Sequence, residues 1–387
     1  LKDLKLDTEV VDKTGFNPYY PRLQSALGDQ ITIDEGEFIN LAANNYLGLA
    51  DDSRVKEQAV EAVNTYGTSL CGTPIATGYI ELYQEVEAEL ADFVGLDDCL
   101  ILPSCYQANN GLFPAILEPE DVVFVDHFAH SSLLEGIKSA SGELKPFLHN
   151  NLDHLEKLLN RQATTGQKLI VTESIFSTEG SIAPMSEIIK LCEQYNAVPV
   201  IDDAHGLGVL GEEGRGILEA AEVEDFSGIY TASLGKALAN SGGIICGAQE
   251  TIDYLRYHLS HLIYSTALPP AVLGGIKAVL KIIKQEFAEL RDKLWKYKAQ
   301  IKEALVEAGF EVIDSDAPIN SIKGGSAEAT VLIAQQFYEQ GILTTPFIEP
   351  SVPPNKGKVR LIAGANLKQS TIDRAVEIIT ELDGTRE

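Results

Sequence analysis

The sequence predicts an α/β fold, a mainly parallel β-sheet covered by helices on both faces. Two observations carry this. Short apolar runs recur between about residues 51 and 250, at 99–102, 122–125, 169–171, 198–201 and 243–246. Between them lie stretches such as residues 186–195, whose apolar positions recur at helical spacing. Strands alternating with helices imply βαβ units and a sheet buried on both sides. Right-handed crossovers then bring the strand carboxyl ends to one edge, where open α/β sheets bind ligands. Ser104, Asp126, Asp202 and Ser233 each follow such a run and are expected to converge on that edge.

Taken in order, residues 1–50 read as an N-terminal arm. They hold turn-rich Asn17-Pro18-Tyr19-Tyr20-Pro21 and a short apolar run ending in Asn44-Asn45-Tyr46-Leu47-Gly48-Leu49. Residues 51–275 form the large domain with the alternating pattern. After Pro269-Pro270 a long helical segment rich in Lys and Glu covers about 271–308. A strand-like stretch at 310–313, a helix at 327–339, a strand-like stretch at 359–362 and a final helix at 369–382 follow. Residues 276–387 are therefore expected to form a smaller α+β C-terminal domain.

Composition narrows the function classes. The chain has 387 residues, 45% hydrophobic and 22% charged, enough for a large core and two domains. Its net charge is −27, which disfavours nucleic acid and anionic membranes as partners. The five cysteines, Cys71, Cys99, Cys105, Cys192 and Cys246, form no CxxC pair. A disulfide framework or a metal site is not expected, and a reducing cytoplasm fits. Residues 1–5 are charged and lack a signal-peptide core. No apolar run approaches the roughly 18 residues of a transmembrane helix.

The chemistry centres on Lys236, set among small residues just after the strand-like run Gly228-Ile229-Tyr230. A lysine there can reach a cleft at a strand end and condense with an aldehyde. Alone it would read as a solvated loop residue. Asp202 and His205 in Asp202-Asp203-Ala204-His205-Gly206, together with His130, make the set suit pyridoxal 5'-phosphate (PLP). A buried carboxylate at Asp202 would favour a protonated pyridine nitrogen. His205 could donate to the ring phenolate, and His130 could lie against the ring face. Ser104-Cys105-Tyr106 follows a strand and opens a helix, whose first N–H groups suit a phosphate. Ser233, three residues before Lys236, is a second phosphate candidate. Arg360, within Lys358-Val359-Arg360-Leu361, could bind a substrate carboxylate with its two-pronged guanidinium.

Seven stretches in order extend this pattern: Asn44-Asn45-Tyr46-Leu47-Gly48-Leu49, Ser104-Cys105-Tyr106-Gln107-Ala108-Asn109, residues 172–180, Asp202-Asp203-Ala204-His205-Gly206, residues 211–216, Leu234-Gly235-Lys236 and residues 264–270. From about residue 40 to 381 the chain resembles the α-oxoamine synthases, a family of fold-type I PLP enzymes. The resemblance implies a fold-type I transferase whose large domain carries a mostly parallel seven-stranded sheet. Catalytic roles fall by that resemblance to Lys236, His130, Asp202 and His205. Cofactor contacts are implied for Ser104, Cys105, Tyr106, Ser177, Ser233 and Thr266, the last from the other subunit of a homodimer with shared active sites. Substrate contacts are implied for Arg360 and Asn44. The implied reaction condenses a small amino acid (glycine, alanine or serine) with an acyl-CoA, releasing CO2 and CoA and leaving an α-amino ketone.

Three departures fall in regions expected to shape the substrate side. Tyr83 and Asn366 stand where relatives often have histidine, and Pro318-Ile319-Asn320 lacks a second proline. Two other readings stand beside this one. An aminotransferase on this fold needs the same Lys236 and Asp202 and differs in its products. A non-catalytic scaffold subunit has no need for Lys236, Asp202, His205 and His130 together.

Overall fold

The computed structural model describes residues 9–34 and 36–384; the charged opening stretch at 1–5 lies outside them. Seven strands build the principal sheet: β1 (Asp98–Leu102), β2 (Val122–Asp126), β3 (Glu143–Phe147), β4 (Lys168–Glu173), β5 (Ala197–Asp202), β6 (Ile229–Ser233) and β7 (Gly243–Gly247). Their spatial order is β1-β7-β6-β5-β4-β2-β3. The run from β6 through β5, β4 and β2 to β3 is parallel, while β7 lies antiparallel to both of its neighbours. Strand β1 therefore points the same way as β6, and the ends of β1, β2, β4, β5 and β6 share one edge.

Burial explains the sequence pattern. Every residue of β2 and β7 is buried, as near-continuous apolar runs predict for strands covered on both faces. The core beneath includes Leu100, Val123, Val171, Val200 and Ile245, packed against Leu112 and Phe113 from the helix Cys105–Ile116. Strand β3 escaped the sequence reading. Its sequence, Glu-Leu-Lys-Pro-Phe, suits an edge strand that pairs only with β2, where charge and proline are tolerated.

The chain divides into two compact units. One spans Asp52–Phe176 and Ile182–Glu289 and contains the principal sheet. The other joins the residues up to Asp51, Ser177–Ser181 and the chain from Leu290 onward. The dividing point at 289/290 lies inside one continuous helix, Pro270–Glu307, and the arm belongs with the C-terminal part rather than standing apart. In this second unit Gly36–Asn40 pairs with Ile31–Ile33 and with Ile342–Leu343. A separate antiparallel sheet orders Asn320–Gly325, Gly357–Leu361 and Thr345–Phe347. The helix Ala327–Glu339 occupies the segment expected from its periodicity. Among the described residues, no helix is long and apolar enough to cross a membrane.

Candidate active site

The unit with the principal sheet holds most of the expected residues at its carboxyl edge. Register fixes their spacing. Glu173 pairs with Asp202 across β4 and β5, Asp202 pairs with Thr231 across β5 and β6, and Ser233 pairs with Gly243. Gly243 lies directly under the start of the helix Cys105–Ile116. A Cβ there would stand 2.3 Å from both N and Cα of Cys105. The missing side chain thus lets the 104–106 turn come down beside Ser233.

In that turn Ser104 is the N-cap: its Oγ accepts the Gln107 N–H at 3.1 Å. The Cys105 and Tyr106 N–H groups occupy the first turn, where helices leave donors without intrahelical acceptors. The Tyr106 phenol turns outward to Glu135. Burial and the Asp202 charge push the Cys105 thiol well above its usual range, so it is a neutral wall of the site.

Asp202 is 3% exposed. It accepts hydrogen bonds from Asn109 Nδ2 at 2.6 Å and from the Ala204 N–H at 2.9 Å, and Cys105 Sγ lies 4.0 Å away. These donors are neutral, so they steady the negative charge without cancelling it. That donor set fits a cationic ring nitrogen as the remaining partner. His205 is buried in the turn that follows.

His130 caps the helix Ser131–Ser139 and is exposed to solvent. Its backbone N–H donates to Glu173 Oε1 at 2.7 Å, and its ring Nδ1 lies 2.7 Å from Ser132 Oγ. Loss of hydration on its inner side lowers the imidazole pKa; Asp202 opposes that and Lys236 adds to it. Glu173 is pushed well above the usual carboxylate range by burial and by Asp202. Lys236 is half-buried in the loop after β6, and its charge acts on Cys105, His130 and Glu173 alike. Thr266 is exposed.

Arg360, Ser177 and Asn44 belong to the other unit. Arg360 is 5% exposed; one arm donates to the Ser177 carbonyl at 3.0 Å, its guanidinium lies 4.9 Å from the centre of the Phe347 ring, and its Nε has no acceptor. Lys358, two positions earlier on the same strand, holds Glu179, and Ser321 Oγ donates to the Thr178 carbonyl at 2.7 Å. Asn44 Oδ1 is also buried without a donor.

Tyr83 departs from expectation. It lies on the helix Glu81–Val94, is 1% exposed, and its hydroxyl donates to the Ile101 carbonyl of β1 at 2.9 Å, which makes it a core residue between helix and strand rather than a substrate contact. Asn366 donates to the Gly28 carbonyl at 3.0 Å, and Asn320 to the Lys298 carbonyl at 3.0 Å, so both tie segments of the second unit together. The sequence reading missed Asn109, Ser132, Thr231 and Glu173 as neighbours of Asp202 and His130. Asn109 lay inside a quoted motif, but only the fold shows what its amide meets.

The chain matches the aminotransferase class I and II family over residues 36–379. It is 33% identical over 382 residues to the 8-amino-7-oxononanoate synthase of Geobacter metallireducens (strain ATCC 53774 / DSM 7210 / GS-15), covering 98% of each chain. Among solved structures, the serine palmitoyltransferase of Sphingomonas wittichii superposes with a TM-score of 0.92 at 24% identity, over 97% of this chain and 94% of that one. A high-resolution serine palmitoyltransferase structure with PLP gives a TM-score of 0.92 at 23% identity, over 96% and 94% of the two chains.

Proposed function

We infer the reaction of this chain from its kinship: it belongs to the class I and II aminotransferase family and, within it, to the α-oxoamine synthases of fold type I. It is a PLP-dependent C-acyltransferase. It condenses a small amino acid with an acyl-CoA. A bond forms between the amino-acid α-carbon and the acyl carbonyl carbon, and the thioester C–S bond breaks to release CoA. The α-carboxylate leaves as CO2 and a proton returns to the α-carbon, giving an α-amino ketone. When bound, PLP supplies the electron sink that lets the α-carbon give up a proton or a carboxylate.

The observation that carries the cofactor assignment is Asp202, a buried carboxylate whose described hydrogen bonds come from neutral donors. In this reading Asp202 holds the ring nitrogen in its protonated form. Lys236 would hold the cofactor through its aldehyde, and its amine would serve as base at the α-carbon. His130 would cover the ring and handle a proton, and His205 would donate to the ring phenolate oxygen. The Cys105 and Tyr106 N–H groups, Ser104 and Ser233 hold the phosphate, joined by Thr266 from a second copy of the chain. Ser177 and Asn44 line the site, and Arg360 receives the substrate carboxylate. Support for a homodimer comes from Tyr264, 84% exposed beside Thr266. Five free cysteines support a cytoplasmic setting.

The relative's name suggests the first substrate pair. In 8-amino-7-oxononanoate the amine sits on the carbon next to the ketone, with one methyl beyond it. Decarboxylative condensation makes that end from alanine and the rest from a seven-carbon acyl donor ending in a carboxylate. The test is a matrix of glycine, alanine and serine against short, medium and dicarboxylic acyl-CoAs, read by thiol release and product mass. Alanine with the dicarboxylic donor should give the largest release, with a product lighter than its parts by CO2 and CoA. No thiol release anywhere in the matrix, or a 2-oxo acid formed without CoA release, would overturn the reading.

A further inference from the structure

We propose that Asn109 is a positioning residue that joins the Asp202 carboxylate to the His130 ring and sets which ring nitrogen carries the proton. Asn109 lies one turn into the helix Cys105–Ile116 and is 1% exposed. Its amide meets three other elements. Oδ1 is 2.7 Å from Thr231 Oγ1 on β6; Nδ2 is 2.6 Å from Asp202 Oδ2 at the end of β5 and 3.0 Å from Ser132 Oγ in the helix Ser131–Ser139.

The chemistry of the partners fixes the direction of every bond. A carboxylate only accepts, so the NH2 group must face Asp202, and the carbonyl must face Thr231, whose hydroxyl donates to it. The second NH2 proton goes to Ser132 Oγ. Having accepted there, the Ser132 hydroxyl has one proton left, and His130 Nδ1 lies 2.7 Å away to receive it. The Ser132 N–H reaches the same nitrogen at 3.2 Å. Both contacts use the Nδ1 lone pair, so a neutral His130 carries its proton on Nε2. The Asn109, Ser132 and Thr231 side chains are all buried, which makes a reversed or unpaired arrangement costly.

The consequence for chemistry rests on the reaction proposed above. His130 would present Nε2–H as its donor, with Nδ1 held from behind. The carboxylate beside the cofactor ring nitrogen and the ring over its face would then be oriented by one amide. Asn109 does this without touching the reacting atoms itself.

The tautomer can be read without substrate. Nitrogen NMR of the histidine-labelled full chain, as holoenzyme and again after cofactor removal, resolves Nδ1 from Nε2; His130→Gln assigns the signal among the seven histidines. Neutral His130 should be predominantly the Nε2–H form in both states. Asn109→Asp keeps the size but loses the donor toward Ser132. It should raise the Nδ1–H share by about three- to tenfold, the size of one neutral hydrogen bond. Ser132→Ala, which leaves the Asn109–Asp202 bond in place, should raise it about threefold, since only the longer N–H contact remains. If Asn109→Asp does not fold, Ser132→Ala carries the test. A predominantly Nδ1–H ring in the parent chain, or an unchanged tautomer in the folded variants despite lost activity, overturns the proposal. A failed substrate matrix would leave this measurement readable.

Discussion

A guanidinium gives up most of its hydration when only 5% of its residue surface stays exposed, and Arg360 recovers little of that inside the protein. It donates to one carbonyl and lies over one aromatic ring, and its Nε is left unused. Burial lowers its pKa, which Tyr46 opposes, yet arginine stays charged in proteins. An anion with two oxygens would satisfy the remaining donors. Arg360→Lys keeps the charge and loses the fork, so it should raise KM for the amino acid roughly 10- to 100-fold while kcat falls less, as loss of uniform binding predicts. Steady-state kinetics with the amino acid varied at saturating acyl-CoA reads this. An unchanged KM would remove Arg360 from the substrate. Single residues of distinctive chemistry were legible as types: Lys236, Asp202 and His130 follow strand-like runs, and Arg360 lies within one. The Asn109–Ser132–Thr231 bonds were not legible, because they join positions 23 and 122 residues apart and depend on register. Tyr83 misled for a related reason: a polar ring at a helix position does not reveal that its hydroxyl caps a carbonyl of the strand beneath.

At the scale of elements, the close approach of β7 to the helix Cys105–Ile116 decides where the 104–106 turn can sit. Gly243 is buried, and the nearest atoms to an added Cβ are backbone atoms of Ser104 and Cys105 rather than a flexible side chain. Gly243→Ala must therefore push the turn away from β6. Overpacking of this kind costs about 1–3 kcal/mol, and displaced N–H donors should weaken PLP binding at least about tenfold. A spectroscopic titration of the cofactor measures it, and an unaltered affinity would detach this turn from the phosphate. The elements themselves were read well where burial is two-sided, because a strand covered on both faces is apolar throughout. β3 was missed because an edge strand needs no such run. Strand direction was also beyond the sequence: nothing in residues 243–246 distinguishes an antiparallel β7 from another parallel strand.

For the molecule as a whole, two acidic effects act in the same direction and can be separated. The net charge of −27 sets the folded chain against itself at neutral pH. Burial also raises the pKa of three interior carboxyls, Glu87, Glu173 and Asp203, the last from 3.8 up to about 7. Asp203 accepts from the Tyr230 hydroxyl at 2.7 Å and the Ile217 N–H at 2.8 Å, which offset only part of its lost hydration. A native pKa above the unfolded value means the folded state holds the extra proton between them. Stability then falls as pH rises from about 4 to about 7 and is restored on acidification, by at most about 4 kcal/mol for this one group. Carboxylates such as Asp52, whose pKa the Arg54 guanidinium lowers, lose their contribution only at still lower pH. The melting temperature of the cofactor-free chain should therefore rise as pH drops from 7.5 towards 5. Removing PLP keeps its own pH-dependent binding out of the measurement. At 1 M salt, where screening acts within about 3 Å, the surface repulsion largely disappears and the interior part remains. Asp203→Asn, whose amide oxygen can keep both bonds, should flatten the slope that persists in high salt. A high-salt melting temperature that falls on acidification over this range, or a slope that Asp203→Asn leaves intact, would show that Asp203 enters the fold already ionised.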